Sequence, residues 1–238
     1  MLKNLFWKKK TDNRKADSLA FYKNFIPQGG LVFDIGANIG NRTEIFLALG
    51  AKVVAVEPQP SCNKILKGKF GDKISIENVG LSSQTGSMEF YIADETTIST
   101  FSKDFILKTG MERFKRNKWD KSITVPVETF DNLIIKYGVP DFCKIDVEGY
   151  EFEVLKGLSQ KLPCMSFEYC VPEMNDNLVN CIHYLAGLGP ETLFNYSEGE
   201  SMKLNLLEWL NYKEFLSVTE KNDFQKTLFG DIYTKMKN

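Results

Sequence analysis

An open, mostly parallel α/β sheet is the fold that this sequence predicts, on three observations. From residue 30 onward, short β-branched apolar runs alternate with amphipathic stretches of helical period. The first of these runs ends in a glycine-rich turn that leads straight into a helical stretch, the junction at which doubly wound sheets bind ligands. The 238 residues, 43% hydrophobic and 26% charged, are enough for one sizeable domain with a full core.

Strands are expected near 31–35 and 52–56, where Leu-Val-Phe-Asp-Ile and Lys-Val-Val-Ala-Val read as segments covered on both faces. Further strands are expected near 73–79, 141–146, 163–168, 191–196 and 228–235, and helices near 40–49, 60–69, 129–137, 149–161 and 174–188. Residues 86–127 break the rhythm. A hairpin arm near 87–92 precedes a long basic stretch, and so long an excursion in a compact domain reads as a functional lid or binding loop. The expected organisation is a helical basic arm over residues 1–28, then a single domain over 29–238 with a basic insertion near 93–122.

Composition narrows the function. The 30 Lys and Arg against 31 Asp and Glu give a net charge of −1, and no apolar run reaches the roughly 18 residues of a membrane span. The five cysteines (Cys62, Cys143, Cys164, Cys170, Cys181) are odd in number and form no Cys-x-x-Cys pair, which fits reduced thiols in a cytoplasmic protein. A single histidine, His183, rules out a His-Glu-x-x-His zinc centre; it lies mid-helix, where a structural role fits best. The Gly-x-Ser-x-Gly elbow of serine hydrolases is absent.

Charge is unevenly placed. Lys3, Lys8, Lys9, Lys10, Arg14 and Lys15 face only Asp12 in the first 15 residues, and residues 103–121 hold seven basic side chains against Asp104, Glu112 and Asp120. Solvated surface is the plain reading. The functional reading is attraction to a phosphate-rich partner, an anionic lipid surface or a nucleotide-linked sugar. Leu2, Leu5, Phe6 and Trp7 beside the N-terminal lysines suit weak contact with a membrane surface, without the long apolar core of a signal peptide.

Chemistry concentrates at strand ends. In the turn Gly36-Ala37-Asn38-Ile39-Gly40, glycines let the backbone approach a ligand. A dinucleotide site wants Gly-x-Gly-x-x-Gly, but Asn38 and Asn41 stand at its second and third glycine positions, which argues against close pyrophosphate approach. Asp34, just before the turn, suits a ligand with a cationic amine. Glu57-Pro58 closes the second strand, where an acid can accept both hydroxyl protons of a ribose.

These residues resemble the S-adenosylmethionine-dependent methyltransferases, and more closely the FkbM family. The carrying segments are Val32 to Gly40, Val56-Glu57-Pro58, Asn78-Val79-Gly80-Leu81-Ser82, Lys144-Ile145-Asp146-Val147-Glu148-Gly149-Tyr150-Glu151, Val154-Leu155-Lys156-Gly157 and the closing Phe229-Gly230-Asp231-Ile232-Tyr233. The resemblance covers roughly residues 30–235. It implies a Rossmann-like class I fold: a seven-stranded, mostly parallel sheet with helices on both faces and an antiparallel last strand. It also implies S-adenosylmethionine as donor, S-adenosylhomocysteine as product, and O-methylation of a sugar or secondary-metabolite hydroxyl. Donor contacts are expected from Asp34, Gly36, Ala37, Asn38, Gly40, Glu57, Pro58, Asn78 and Gly80. Where many related enzymes carry an acid for the adenine amine, this chain has Gly80-Leu81, leaving that contact to Asn78 or backbone.

Strand alternation puts Lys144, Asp146 and Glu148 on one side of the chain at a strand end. An acidic pair plus a lysine in a partly dry cleft drives pKa values apart, so one carboxylate can take a hydroxyl proton. Glu148 or Asp146 is the expected base, with Lys144 orienting the acceptor and Glu168, at the next strand end, binding it. The rival readings are a structural ion pair, or a helix N-terminus served by Glu148 and Glu151. Magnesium on Asp146 and Glu148 lacks an evident third ligand, and no metal site is expected. A nucleic-acid methyltransferase and a non-catalytic adenosyl-binding scaffold are the alternative functions, with nucleic acid the less expected partner.

Overall fold

The computed structural model describes residues 14–237. Seven strands form the main sheet: β1 (Leu31–Ile35), β2 (Lys52–Val56), β3 (Ile74–Glu77), β7 (Phe142–Ile145), β8 (Cys164–Cys170), β9 (Thr192–Glu198) and β10 (Phe229–Met236). Their order across the sheet is β3-β2-β1-β7-β8-β10-β9. β10 runs antiparallel to both β8 and β9, while the pairs from β3 to β8 are parallel. The expected fold class is what the structure shows.

Alternation along each strand divides the core between two faces. Phe33, Ile35, Val54, Val56, Cys143 and Ile145 meet α5 (Phe130–Tyr137), α6 (Glu151–Lys156) and α7 (Asn175–Leu188), with Phe215 of α8 (Tyr212–Thr219) and Phe224 of α9 (Asn222–Gln225). Val32, Val53, Ala55 and Phe142 meet the helix over 14–22, here α1, together with α2 (Asn41–Ala48) and α3 (Pro60–Phe70). Burying a large apolar side chain stabilises by about 1.5–3 kcal/mol, so these interdigitated faces hold the strand ends in register. Crossovers leave β1 in opposite directions across the sheet, making the carboxyl ends of β1 and β7 the switch point where such sheets bind ligands. The Asp146 amide donates to the Ile35 carbonyl there at 2.9 Å.

The excursion after β3 is folded rather than open. β4 (Gly80–Leu81), β5 (Gly86–Ile92) and β6 (Lys121–Glu128) form a second sheet in the order β4-β6-β5, with β5 and β6 antiparallel. Between them, Ser102 caps α4 (Lys103–Gly110) by accepting from the Phe105 amide at 3.0 Å. Arg113 forks onto Glu173 at 2.8 and 3.0 Å and donates to the Val171 carbonyl at 2.7 Å. Trp119 Nε1 donates to the Ile98 carbonyl at 2.8 Å. Phe105, Phe114 and Trp119 pack on one another, so ordinary packing claims these aromatics.

Other boundaries moved for physical reasons. The helix expected near 149–161 spans only Glu151–Lys156: Glu148 and Gly149 take positive φ (56° and 79°) before it starts, and Gly157 caps its end. α8 was not anticipated, although Asn211 and Glu214 form a complete capping box readable as Asn-x-x-Glu. Of the basic N-terminal segment, residues 1–13, with their lysines and apolar side chains, lie outside the described residues. Among the described residues no helix is long and apolar enough to cross a membrane. All five cysteines are free thiols, and His183 is exposed on α7, paired with the Tyr212 hydroxyl.

Candidate functional site

A cavity of about 690 Å³ opens over the switch point, within the range of small-molecule sites. Its wall includes Asp34, Gly36, Ala37, Asn38, Glu57, Pro58, Gly80, Lys144, Asp146 and Glu148. Ten of the thirteen expected site residues therefore meet in one place. Gly40, Asn78 and Glu168 are not on the wall.

Gly36 is where the two central strands touch. At φ 80°, its Cβ would stand 1.8 Å from the Asp146 carbonyl oxygen, so no side chain fits. Gly40 serves packing instead: a Cβ there would meet the Phe70 ring at 2.4 Å. Asn78 is exposed, and the structure does not bring it to the cavity; Val79, Gly80 and Leu81 line that stretch.

The turn's donors are already used. The Gly36 and Ala37 amides donate to the Val56 carbonyl, Asn38 N–H to Glu57 Oε2 at 2.8 Å, Ile39 N–H to Asn38 Oδ1, and Gly40 N–H to the Ala37 carbonyl. No amide from 36 to 40 is left for a pyrophosphate, which gives a physical reason for the missing glycines. Glu57 is 2% exposed and also accepts from the Gln59 amide at 2.8 Å. Burial pushes its carboxyl up to about 7 even though both amides pull the other way. Asp34 is equally buried, accepts the Thr43 hydroxyl at 2.5 Å, and is raised by burial.

The β7–β8 edge is built differently. Lys144, almost fully buried, donates to Asp146 Oδ2 at 2.6 Å and lies 3.6 Å from Asp231 Oδ1. Burial works against its charge, but Asp146 and Asp231 win, and its pKa is held well above the ordinary lysine value. Asp146 loses water too, yet Lys144 holds it below the usual carboxylate range. Carboxyl oxygens of Asp146, Glu148 and Glu168 all lie within 4.8 Å of one another. Glu148 and Glu168 are pushed well above the carboxylate range, first by loss of water and then by neighbouring carboxylates. Glu168 is thus the third carboxyl group beside Asp146 and Glu148, although it does not line the cavity.

Glu151 takes the helix-start role. It accepts the Val147 and Gly149 amides at 3.2 and 3.1 Å and the Asn177 side chain at 2.7 Å. Glu148 does not cap; its backbone turns at positive φ and its carbonyl accepts the Thr100 hydroxyl at 2.7 Å. Thr96, Thr97, Ser99 and Phe101 of the insertion line the cavity, and Gln59 Nε2 reaches the Thr96 carbonyl at 3.2 Å. None of the basic side chains over 103–121 lines that wall. Sequence reasoning missed Asp231, although a lone acid in the run Phe229 to Tyr233 is a readable oddity, and it missed Arg42 and Gln59.

The model of the methyltransferase FkbM domain matches residues 34–238. The chain belongs to this family. Among its relatives, the hexuronic acid methyltransferase AglP of Haloferax volcanii is 29% identical over 143 residues, which is 58% of this chain and 53% of that protein. The methyltransferase sdnD of Sordaria araneosa is 24% identical over 164 residues, 57% of this chain and 63% of that protein. The matched stretch is thus about half to three-fifths of the length of these relatives. Among solved structures, a TehB-like S-adenosylmethionine-dependent methyltransferase from Corynebacterium glutamicum is 11% identical, covers 99% of each chain and has a TM-score of 0.49.

Proposed function

We propose that this FkbM-family chain is an S-adenosylmethionine-dependent O-methyltransferase that acts on a hydroxyl of a sugar or glycan. One observation supports it most: in one cavity, a buried strand-end acid and spent turn amides abut a crowded group of carboxylates. Residues of the first set fit an adenosyl sulfonium ligand. Glu57 keeps lone pairs for ribose hydroxyls, Asp34 suits the amine, and Gly80, Leu81 and Phe101 give the wall an apolar stretch, with the Phe101 ring packed so closely on Gly80 that a Cβ there would meet it at 2.4 Å.

When bound, the donor supplies an already electrophilic methyl group, so the protein's task is positioning and proton removal. In this reading Glu148 is the base. Its raised pKa matches the weak acidity of an alcohol better than that of Asp146, which Lys144 holds ionised. Lys144 is a positioning residue for Asp146, and Glu168 orients the acceptor hydroxyl. The sugar class draws on the hexuronic acid methyltransferase relative.

The test is incubation with methyl-labelled S-adenosylmethionine and two acceptor pools, hexuronate-containing glycan and total nucleic acid. Label in the glycan pool supports the reading. Label in nucleic acid overturns the acceptor class and turns the basic insertion into the substrate groove. Tight donor binding without transfer to any pool would favour a scaffold.

A further inference from the structure

Arg42 stands in the first turn of α2, and its guanidinium lies over the ring of the buried Tyr22, 5.9 Å from the centroid. Only 19% of its side chain is exposed, so the charge needs an anion. Its ion-pair partner among the described residues is Glu200, which belongs to the loop after β9 and is 66% exposed. A carboxylate that free gains little from such a pair and is easily replaced. Glu200 itself lines the cavity, together with Ser201 and Met202.

The residue after Arg42 is Thr43, whose hydroxyl donates to Asp34. The wall of this one cavity therefore presents both a buried carboxylate and a guanidinium, the carboxylate bonded to the residue that follows the guanidinium in the chain. Their complement is a zwitterion, with its ammonium toward Asp34 and its carboxylate in the planar fork of Arg42. A carboxylate-bearing sugar would need only the second group. We propose that Arg42 is the carboxylate clamp for the amino-acid end of the methyl donor, and that Glu200 fills the fork until that carboxylate displaces it. This inference rests on the donor reading above.

Calorimetric titration of the full chain with S-adenosylhomocysteine and with 5′-methylthioadenosine separates the two ideas, because the second ligand keeps the adenosine and sulfur but lacks the amino acid. The wild type binds both. Arg42→Met weakens S-adenosylhomocysteine by about 10- to 100-fold, the loss of a charged hydrogen-bonded pair, and leaves 5′-methylthioadenosine within two-fold, which also shows that the variant is folded. Glu200→Gln removes the competing carboxylate and tightens S-adenosylhomocysteine alone by a few fold. Equal weakening of both ligands by Arg42→Met, or unchanged binding of both in both variants, contradicts the clamp while the donor reading stands. A wild type that binds neither ligand overturns the donor reading and the clamp with it.

Discussion

Carboxylates reach the cavity from two sheet edges, and the edges hold them in opposite ways. At the β1–β2 edge, Glu57 takes an amide on each oxygen and Asp34 takes a hydroxyl, so each acid is fixed by neutral donors before any ligand arrives. At the β7–β8 edge, Asp146, Glu148 and Glu168 crowd together, and the buried Lys144 bonds only to Asp146 among them. A fixed acid is suited to holding, because its geometry costs nothing further on binding. A crowded acid is suited to taking a proton or a hydroxyl, because gaining one relieves repulsion. The same chemical group thus serves two purposes, decided by which donors the local backbone offers.

The strongest blow to this arrangement falls where the edges meet. Gly36→Ala drives a methyl group into the Asp146 carbonyl at a left-handed backbone position. Strain and overpacking together make a loss of about 3 kcal/mol or more, read from denaturant unfolding. A stability within 0.5 kcal/mol of wild type would show that the edges are not braced at this point.

Next in size is the brace of the insertion. Arg113→Met leaves Glu173 without its fork and the Val171 carbonyl without a donor, at a cost of about 1–3 kcal/mol. Because Thr100 binds Glu148 from the same insertion, the turnover number should fall more than donor affinity. A change in donor affinity alone would place the insertion over the wrong edge.

Smaller effects separate the edges by pH. Glu151→Gln removes one of the like charges that hold Glu148 up, so the acid limb of the activity profile should move to lower pH. An unmoved limb would detach Glu151 from the base. At the other edge, Glu57 ionises near 4.5 when unfolded and near 7 when folded. The folded chain binds the extra proton between those values, so this contribution to stability is full below 4.5 and lost as pH rises toward 7. Glu57→Gln lacks that loss, and its stability relative to wild type should improve over the same window, followed by melting temperature against pH. A constant difference would count against an ionising Glu57.

Much of this contrast could be read from the chain. Short apolar runs between helical stretches located all seven main-sheet strands, since strands buried on both faces leave a clear local signal. Asp34 and Glu57 were legible for the same reason: they follow three and four apolar residues, and a charge there has few places to go. β6 and α4 were not legible, because Lys121–Glu128 alternates polar residues around Pro126, and its pairing with β5 is a long-range choice. Asn78 looked suitable by its place after a strand, yet the cavity wall takes its neighbours Val79, Gly80 and Leu81 and leaves Asn78 exposed. Arg42 was hidden because its partners, Tyr22 and Glu200, lie 20 and 158 positions away.

The division of labour itself is tested by crossing two variants with two readouts: the affinity for S-adenosylhomocysteine and the rate of methyl transfer to a hexuronate-containing acceptor. Glu57→Ala should weaken binding by about 10-fold or more, as two buried amides and a ribose lose their acceptor. Glu148→Gln should bind within two-fold of wild type and transfer about 10²-fold more slowly. If instead Glu148→Gln loses affinity and Glu57→Ala keeps it, the two edges have been assigned the wrong way round.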